Sequence, residues 1–171
     1  MKTKHLFPFF ILLVLSSAII FSCKKTEKKT SPVQFFLMDS PAQYDSVIIH
    51  IKKIEAEVIF DSTKWIALKT KDTIVNLFNY RDSATLNVAE GVVPMGMLKK
   101  LRFKLGEGNS VIVNGASYPL TTSNNSADLL MAVDRPLNEV FNGFILDFDA
   151  SQSIKLENGA YWLEPVIRVI N

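Results

Sequence analysis

The sequence predicts an all-β fold, and three features support this prediction. From residue 33 onward, short segments rich in Val, Ile, Phe and Tyr alternate with Gly, Pro, Asn and Asp residues that favour turns. No window offers three turns of an amphipathic helix. Several segments alternate apolar and polar side chains with the period of two that a half-buried strand requires. About nine or ten short strands at this spacing predict a two-sheet antiparallel β-sandwich.

The first strands can be placed from their alternation and their turn residues. Residues 33–37 open the first strand, and Asp39-Ser40-Pro41 ends it because proline cannot donate to a β-ladder. Residues 47–60 form a long second strand, in which the apolar alternation shifts by one residue at Lys52-Lys53. A one-residue shift inside a strand predicts a β-bulge.

The next pair of strands surrounds a turn at Lys71-Asp72. Residues 64–68 form one of these strands and residues 73–78 form the other. Trp65 and Leu77 are the expected core side chains of this pair. A short helical turn over one end of the sheets is expected within residues 79–87.

The following segment contains a strand with one solvated face and a hairpin. Leu101, Phe103 and Leu105 alternate with basic residues. The Asn114-Gly115 dipeptide, between strands at 111–113 and 118–120, is a strong signal for a two-residue hairpin turn.

The last part of the chain is expected to supply two inner strands. Phe144, Leu146 and Phe148 share one face, which leaves Asp147 and Asp149 on the other. Residues 161–170 form a single closing strand. The predicted architecture is an immunoglobulin/transthyretin-like sandwich.

The N-terminus has the anatomy of an export signal. Lys2, Lys4 and His5 form a basic region, and Leu6–Phe21 is an uncharged run interrupted by Pro8. This run is shorter than the ~20 residues that a membrane-spanning helix needs. Residues 1–22 are therefore predicted to be a lipoprotein signal peptide.

Cys23 is the only cysteine in the chain, so an intramolecular disulfide cannot form. Residues 20–23, Ile-Phe-Ser-Cys, resemble the lipobox of bacterial lipoproteins, in which a small residue precedes the cysteine that receives diacylglycerol. The resemblance implies a covalent lipid at Cys23. The alternatives are cleavage by an ordinary signal peptidase after Ser16-Ser17-Ala18, or an uncleaved anchor.

Residues 23–32 are expected to be the lipidated cysteine followed by a flexible basic tether, because residues 24–32 contain no apolar side chain other than Pro32. Residues 33–171 then form a single domain. Lys2 and Lys4 account for the formal charge of +2, so the processed chain has no basic footprint for nucleic acid. The expected location is the outer membrane, with the domain on the periplasmic side; exposure on the cell surface is the alternative.

Four segments together resemble a family of exported bacterial and archaeal proteins known as domain of unknown function 4382. They are FFLMDSPAQYDSVIIHIKKIEAEV, KWIALKTKDTIVNLF, LKKLRFKLGEGNSVIVNG and FILDFDASQSIKLENGAYWLEPVIRVI, and they extend over about residues 33–170. The resemblance implies an exported domain or lipoprotein without an assigned activity. Where relatives commonly have a Gly-x-Tyr turn, this chain has Pro94-Met95-Gly96-Met97.

Asp39, Asp147 and Asp149 are the candidate ligand or metal contacts among the acids, and the family pattern repeats all three. Asp147 and Asp149 are two residues apart, and with Ser151 they could supply oxygen ligands to Ca²⁺. The alternative is that Asp39 caps a turn while the other two face solvent or pair with Arg168 or Lys155. A hydrolase that uses Asp147 and Asp149 as its carboxylates is the competing function.

Trp162 is the candidate aromatic contact for a glycan, because it should lie on the outward face of its strand, opposite Tyr161. His50 is the one histidine after residue 22, and it is expected to be an ordinary strand residue. With one histidine and one cysteine in the mature chain, no zinc or haem cofactor is expected. The predicted function is a non-enzymatic, lipid-anchored envelope protein that binds a glycan, peptide or protein.

Overall fold

Two β-sheets packed face to face make up the fold. The computed structural model describes residues 29–40, 42–122 and 128–170. It contains fourteen strands: β1 Thr30–Asp39, β2 Ser46–Ile59, β3 Thr63–Ala67, β4 Lys69–Thr70, β5 Thr73–Asn76, β6 Leu86–Pro94, β7 Met97–Leu105, β8 Ser110–Val113, β9 Ala116–Thr122, β10 Asp128–Pro136, β11 Asn142–Phe148, β12 Ile154–Glu157, β13 Ala160–Leu163 and β14 Ile167–Ile170. A 3-10 helix at Leu77–Tyr80 and a short α-helix, α1, at Ala150–Ser153 complete the described elements. The predicted all-β sandwich is confirmed.

The smaller sheet has five strands in the order β14-β11-β1-β6-β4. Its central strand, β1, alternates between buried and partly exposed side chains, so Val33, Phe35 and Leu37 point into the sandwich. Phe35 stacks on Phe144 of β11, with the ring centroids 5.2 Å apart. β1 runs parallel to β11 and antiparallel to β6, so the sheet is mixed and not purely antiparallel as predicted.

The larger sheet has nine strands built around β2. Ile48 pairs with both β5 and β8, and Ile51 pairs with both β5 and β7. Therefore β7 and β8 follow one another along one edge of β2, while β5 and β3 lie along the other. The register with β7 shifts between Ile51 and Lys53, which confirms the predicted bulge.

The two sheets are joined on one side by a direct crossing of the chain. β3 belongs to the larger sheet and β4 to the smaller one, and the single residue between them, Leu68, is buried. The backbone N–H of Leu68 donates to the Ile54 carbonyl at 3.0 Å, and the Thr70 hydroxyl accepts from the Ile54 N–H at 2.9 Å. Hydrogen bonds of Ile54, in the larger sheet, with Leu68 and with Thr70 of the smaller sheet therefore join the two sheets on this side.

Several strand boundaries differ from the predictions. β1 begins at Thr30, and Ser31 is buried, so the expectation that the tether extends to residue 32 is wrong. The described residues form fourteen strands and not the nine or ten predicted; β4, β6, β10 and β12 were not predicted. The predicted closing strand over 161–170 is divided at Pro165, which separates β13 in the larger sheet from β14 in the smaller one.

The turns agree better with the sequence. Asn114 and Gly115 have φ values of 51° and 78°, as a type I′ hairpin turn requires, and they join β8 to β9. The predicted helical turn occurs as the 3-10 helix, which begins two residues before the predicted segment. Leu77 at its start is fully buried, as expected.

Gly96 marks a close approach between two strands. A Cβ atom at this position would lie 2.2 Å from the Ile59 carbonyl oxygen at the end of β2. The Gly96 carbonyl also accepts from the Leu137 N–H at 2.7 Å. Glycine is therefore needed here because no side chain fits between these backbones.

Candidate functional site

Asp39 is the last residue of β1 and points into the sandwich, where it is 1% exposed. Arg81, which follows the 3-10 helix, donates from Nε to Asp39 Oδ2 at 2.9 Å, and its guanidinium lies 4.4 Å from the centre of the Phe78 ring. Burial raises the pKa of Asp39, and the hydrogen bond and charge of Arg81 oppose that rise. Asp39 is therefore the acidic half of a buried ion pair.

Asp147 lies on the opposite, outward face of the same sheet. Its β11 position pairs with Met38 on one side and with Arg168 on the other. The Ser40 hydroxyl lies 2.8 and 2.9 Å from its two carboxylate oxygens. The sheet therefore separates Asp147 from Asp39, although the two are close along neighbouring strands.

Asp149 does not share a strand face with Asp147, so that prediction is wrong. β11 ends at Phe148, and Asp149 caps the N-terminus of α1. Its carboxylate accepts from the Ser151 hydroxyl at 2.7 Å, from the Gln152 N–H at 3.0 Å and from the Gln152 side-chain amide at 2.7 Å. The Ser151 hydroxyl therefore donates to the capping carboxylate of the helix. The hydrogen bond from the Ser151 side chain, followed by that from the Gln152 N–H, lowers the pKa of Asp149 despite its burial.

The three predicted acids therefore lie at one end of the sandwich without forming one ligand set. In the described ranges, no three His, Cys, Asp or Glu side chains are grouped so that they could share a metal ion. Arg168 Nη2 is 3.6 Å from Asp149 Oδ2, which matches the predicted alternative of pairing with that arginine. The calcium site and the hydrolase both stay predictions.

The two tryptophans lie on the outer surface of the larger sheet. Trp162 is half-buried on β13, between Lys155 of β12 and Thr121 of β9, while Leu163 beside it points inward. The prediction that Trp65 is a core residue is wrong, because Ile66 packs against the core instead. The Arg102 guanidinium lies 4.3 Å from the centre of the Trp65 ring.

Arg102 belongs to a charged cluster that the sequence analysis did not identify. Its Nε donates to Glu55 Oε2 at 2.8 Å, and Lys53 Nζ donates to Glu55 Oε1 at 2.6 Å. These contacts, that of Lys53 first, lower the pKa of Glu55. Opposite charges alternate along two segments of the sequence, but only the pairing of β2 with β7 shows that they meet.

A cleft of about 330 Å³ opens on the side of the sandwich opposite the crossing at Leu68. It lies between β10, at one edge of the larger sheet, and the segment that leads into β14, at an edge of the smaller sheet. The residues that line it are apolar in type, although backbone groups also reach its surface, and they include Phe103, Leu129, Met131, Pro165, Val166 and Ile167. The volume lies at the lower end of the ~300–1,000 Å³ range of ligand pockets.

The edge strand β10 borders this cleft. Residues 128–132 pair regularly with β7, and the register then shifts between Ala132 and Arg135, with Asp134 at a φ of 50°. In the described parts of the chain, β10 pairs with no strand on its other side. Sequence reasoning missed this site because neither β10 nor its position beside β14 follows from local pattern.

The fold and these surfaces define an all-β sandwich domain with an open edge. Residues 30–165 match the family described as "Domain of unknown function (DUF4382)", and the chain belongs to that family. This confirms the resemblance seen in the sequence. No curated protein and no solved structure matches the chain. No helix within the described residues is long and apolar enough to cross a membrane.

Proposed function

We propose that this protein is a non-enzymatic, lipid-anchored binding or assembly module of the bacterial cell envelope. Its binding site is the cleft beside β10, and its ligand is an extended segment of a partner protein. The observation that supports this proposal is the cleft between two sheet edges, on the side that the described strands leave open. The domain is held at the membrane by lipid on Cys23, which lies outside the described residues.

An unpaired strand edge is a template for another strand. Its free N–H and C=O groups can pair with an extended segment, which then continues the sheet. The bulge after Ala132 confines regular pairing to residues 128–132. The bound segment would therefore add a short strand next to the cleft.

The cleft supplies the side-chain recognition that backbone pairing lacks. Leu129 and Met131 alternate with exposed residues on β10, so they present apolar surface to the cleft. A strand added at this edge would direct every second side chain to the same face. The preferred ligand therefore has apolar residues at alternate positions.

The sequence before β1 supports the proposed anchor. A basic region, an apolar run and a lipobox-like segment end at Cys23, and the domain begins only a few residues later, at Thr30. Each acyl methylene buried in lipid contributes ~0.8 kcal/mol, so the several acyl chains of a lipoprotein hold it firmly. The expected location is the periplasmic side of the outer membrane.

Peptide selection against the full-length, lipidated protein in detergent micelles tests the binding site. Random peptides displayed on phage should be enriched for alternating apolar residues. Ala132→Trp should weaken the selected peptides at least tenfold, because Ala132 is exposed and borders the cleft. Ala67→Trp is the matched control, since Ala67 is an exposed alanine on β3, away from the cleft.

Two results would contradict the peptide site. One is the absence of any enriched peptide, and the other is equal binding to the Ala132 and Ala67 variants. A glycan array probed with the same protein examines the alternative ligand. Glycan binding that is lost on Trp162→Ala would transfer the ligand site from the cleft to β13.

The anchor is tested separately by Cys23→Ser. This change should abolish incorporation of labelled palmitate and release the protein from membranes. Continued labelling of the Cys23→Ser protein would refute lipidation at this residue, whatever the peptide selection shows.

A further inference from the structure

One end of the sandwich carries a large share of the exposed apolar side chains. We call it the tether end, because Lys29, the first described residue, lies there beside the start of β1. Twelve large hydrophobic side chains are exposed in the described ranges, and half of them lie at this end. These six are Ile59, Phe60, Val92, Met97, Val140 and Phe141.

Three of the six follow the edge of the smaller sheet. Val92 is 65% exposed and pairs with Pro32 on the outward face of β1. Val140 and Phe141 are 66% and 58% exposed. They directly precede Asn142, which pairs with Val33. All three therefore lie within a few residues of the start of β1.

The other three come from the larger sheet. Ile59 and Met97 pair with one another where β2 ends and β7 begins. Phe60 borders a small hollow together with Pro94, and Pro94 pairs with Thr30. The six side chains thus surround one end of the sandwich and belong to both sheets.

Two acidic side chains at this end have basic partners. Lys29 forms an ion pair with Glu139, next to Val140, and Lys99 forms one with Asp134. Pairing reduces the electrostatic repulsion that a carboxylate would feel from an anionic surface. These two ion pairs therefore reduce the negative charge that lies beside the exposed apolar side chains of the tether end.

The number of residues between Cys23 and Lys29 limits how far the tether end can lie from a lipid on Cys23. Five residues lie between Cys23 and Lys29, so six Cα–Cα steps join them, and an extended chain of that length spans at most about 22 Å. Lys24, Lys25 and Lys28 lie in this segment, and basic residues beside an anchor are attracted to anionic headgroups. A lipid on Cys23 would keep the tether end within this distance of the bilayer.

We infer that the tether end rests on the bilayer surface, with its six apolar side chains in the boundary between headgroups and acyl chains. This inference depends on the anchor in the proposed function. Apolar side chains of interfacial proteins enter this boundary by ~5–10 Å. The contact fixes the orientation of the domain, so the end with the three aspartates points away from the membrane.

A fluorophore placed at the tether end tests the inference. The probe is nitrobenzoxadiazole on an introduced cysteine in the full-length protein, because Cys23 is the only native cysteine and is consumed by lipid. Val140→Cys and Leu156→Cys are a matched pair, at 66% and 61% exposure, and Leu156 lies on β12, away from this end. Both proteins are reconstituted into vesicles of phosphatidylethanolamine and phosphatidylglycerol at 3:1.

The label at position 140 should shift to the blue, gain emission severalfold and be quenched by spin-labelled lipid, whereas the label at position 156 should not change. Phe141→Glu should remove at least half of the gain at position 140, because it places a charge at the contact. Ile74→Glu, at a 64% exposed position on β5 away from this end, should leave it unchanged.

Equal, water-like emission at both positions, in protein that floats with the vesicles, would overturn the inference and leave the anchor intact. A blue shift at position 140 that depends on protein concentration and needs no vesicles would overturn it in favour of a second copy of this chain. If mass spectrometry finds Cys23 unmodified, the measurement is repeated in Cys23→Ser protein. A lipid-dependent signal there would support the contact and refute the anchor, and its absence would refute both.

Discussion

The two ends of the sandwich differ in which side chains they expose and which they bury. At the tether end, Val92, Val140 and Phe141 are exposed, and the charged groups Lys29 and Glu139 pair with each other near the surface. At the opposite end, two of the three aspartates are buried. Asp39 is buried against Arg81, and Asp149 is enclosed by the cap of α1.

The aspartates of one end have a structural role, whereas the exposed apolar residues of the other end do not. The aspartates are the most suggestive residues in the sequence, yet their oxygens are largely engaged in holding turns and strand ends together. The apolar residues of the tether end belong to no core cluster and have no comparable structural role. Substitutions of the aspartates and their partners should therefore lower stability. Substitutions at the tether end should affect stability little, except at Gly96.

The largest effect is expected from Arg81→Ala. It leaves the Asp39 carboxylate buried without its partner, which typically costs about 3–5 kcal/mol. Urea unfolding measured by fluorescence would show the loss as a lower midpoint. Asp39→Asn with Arg81→Ala should recover part of it, since no buried charge then remains. A loss below about 1 kcal/mol would mean that the pair is hydrated, and the contrast between the ends would weaken.

Gly96→Ala should be the exception at the tether end. The added Cβ would meet the Ile59 carbonyl oxygen at 2.2 Å, so a backbone shift is needed, and such overpacking costs about 1–3 kcal/mol. Gly143→Ala is the control, because its Cβ would contact only the ring of the exposed Phe141, which can move aside. Thermal unfolding should rank Gly96→Ala well below Gly143→Ala. Equal melting temperatures would contradict the close approach.

The smallest of these effects is expected at Asp149. Asp149→Ala removes an N-cap, which costs about 1 kcal/mol, whereas Asp149→Asn keeps an acceptor for the Gln152 N–H. Because folding lowers the pKa of Asp149, its charge stabilises the fold above the unfolded pKa, near 4, and this contribution disappears as the pH falls through the lower, folded pKa. The difference between wild type and Asp149→Asn should therefore shrink from pH 7 towards pH 3, as measured by urea unfolding. A difference that grows on acidification would refute the direction of the shift.

The sequence predicted those parts of the fold that short-range pattern determines. The bulge near Lys52 and the Asn114-Gly115 turn each depend on a few adjacent residues, and both are confirmed. β10 was missed because its inward residues alternate only up to its own bulge, and its position depends on pairing with β7. The division of the last strand at Pro165 likewise depends on two sheets that meet only in three dimensions.

The candidate site was less predictable, for a similar reason. The spacing of Asp147 and Asp149 suggested one strand face, but the hydrogen bonds from Ser151 and Gln152 favour a helix cap over a further strand residue. The cleft beside β10 has no motif in the sequence, because its walls come from three separate segments. Short-range sequence pattern therefore indicated strands and turns, but it did not show which side chains face one another in the folded domain.

The parallel pairing of β1 with β11 also determines when the domain can fold. Val33 pairs with Asn142, so the central strand of the smaller sheet gains its second neighbour only after most of the chain is present. Pairing between such distant segments slows folding, because a large loop must close first. A chain that emerges from its N-terminus onward would keep one edge of β1 unpaired until residue 148 is available. This late step is the point at which a chaperone or a neighbouring chain could compete for the strand.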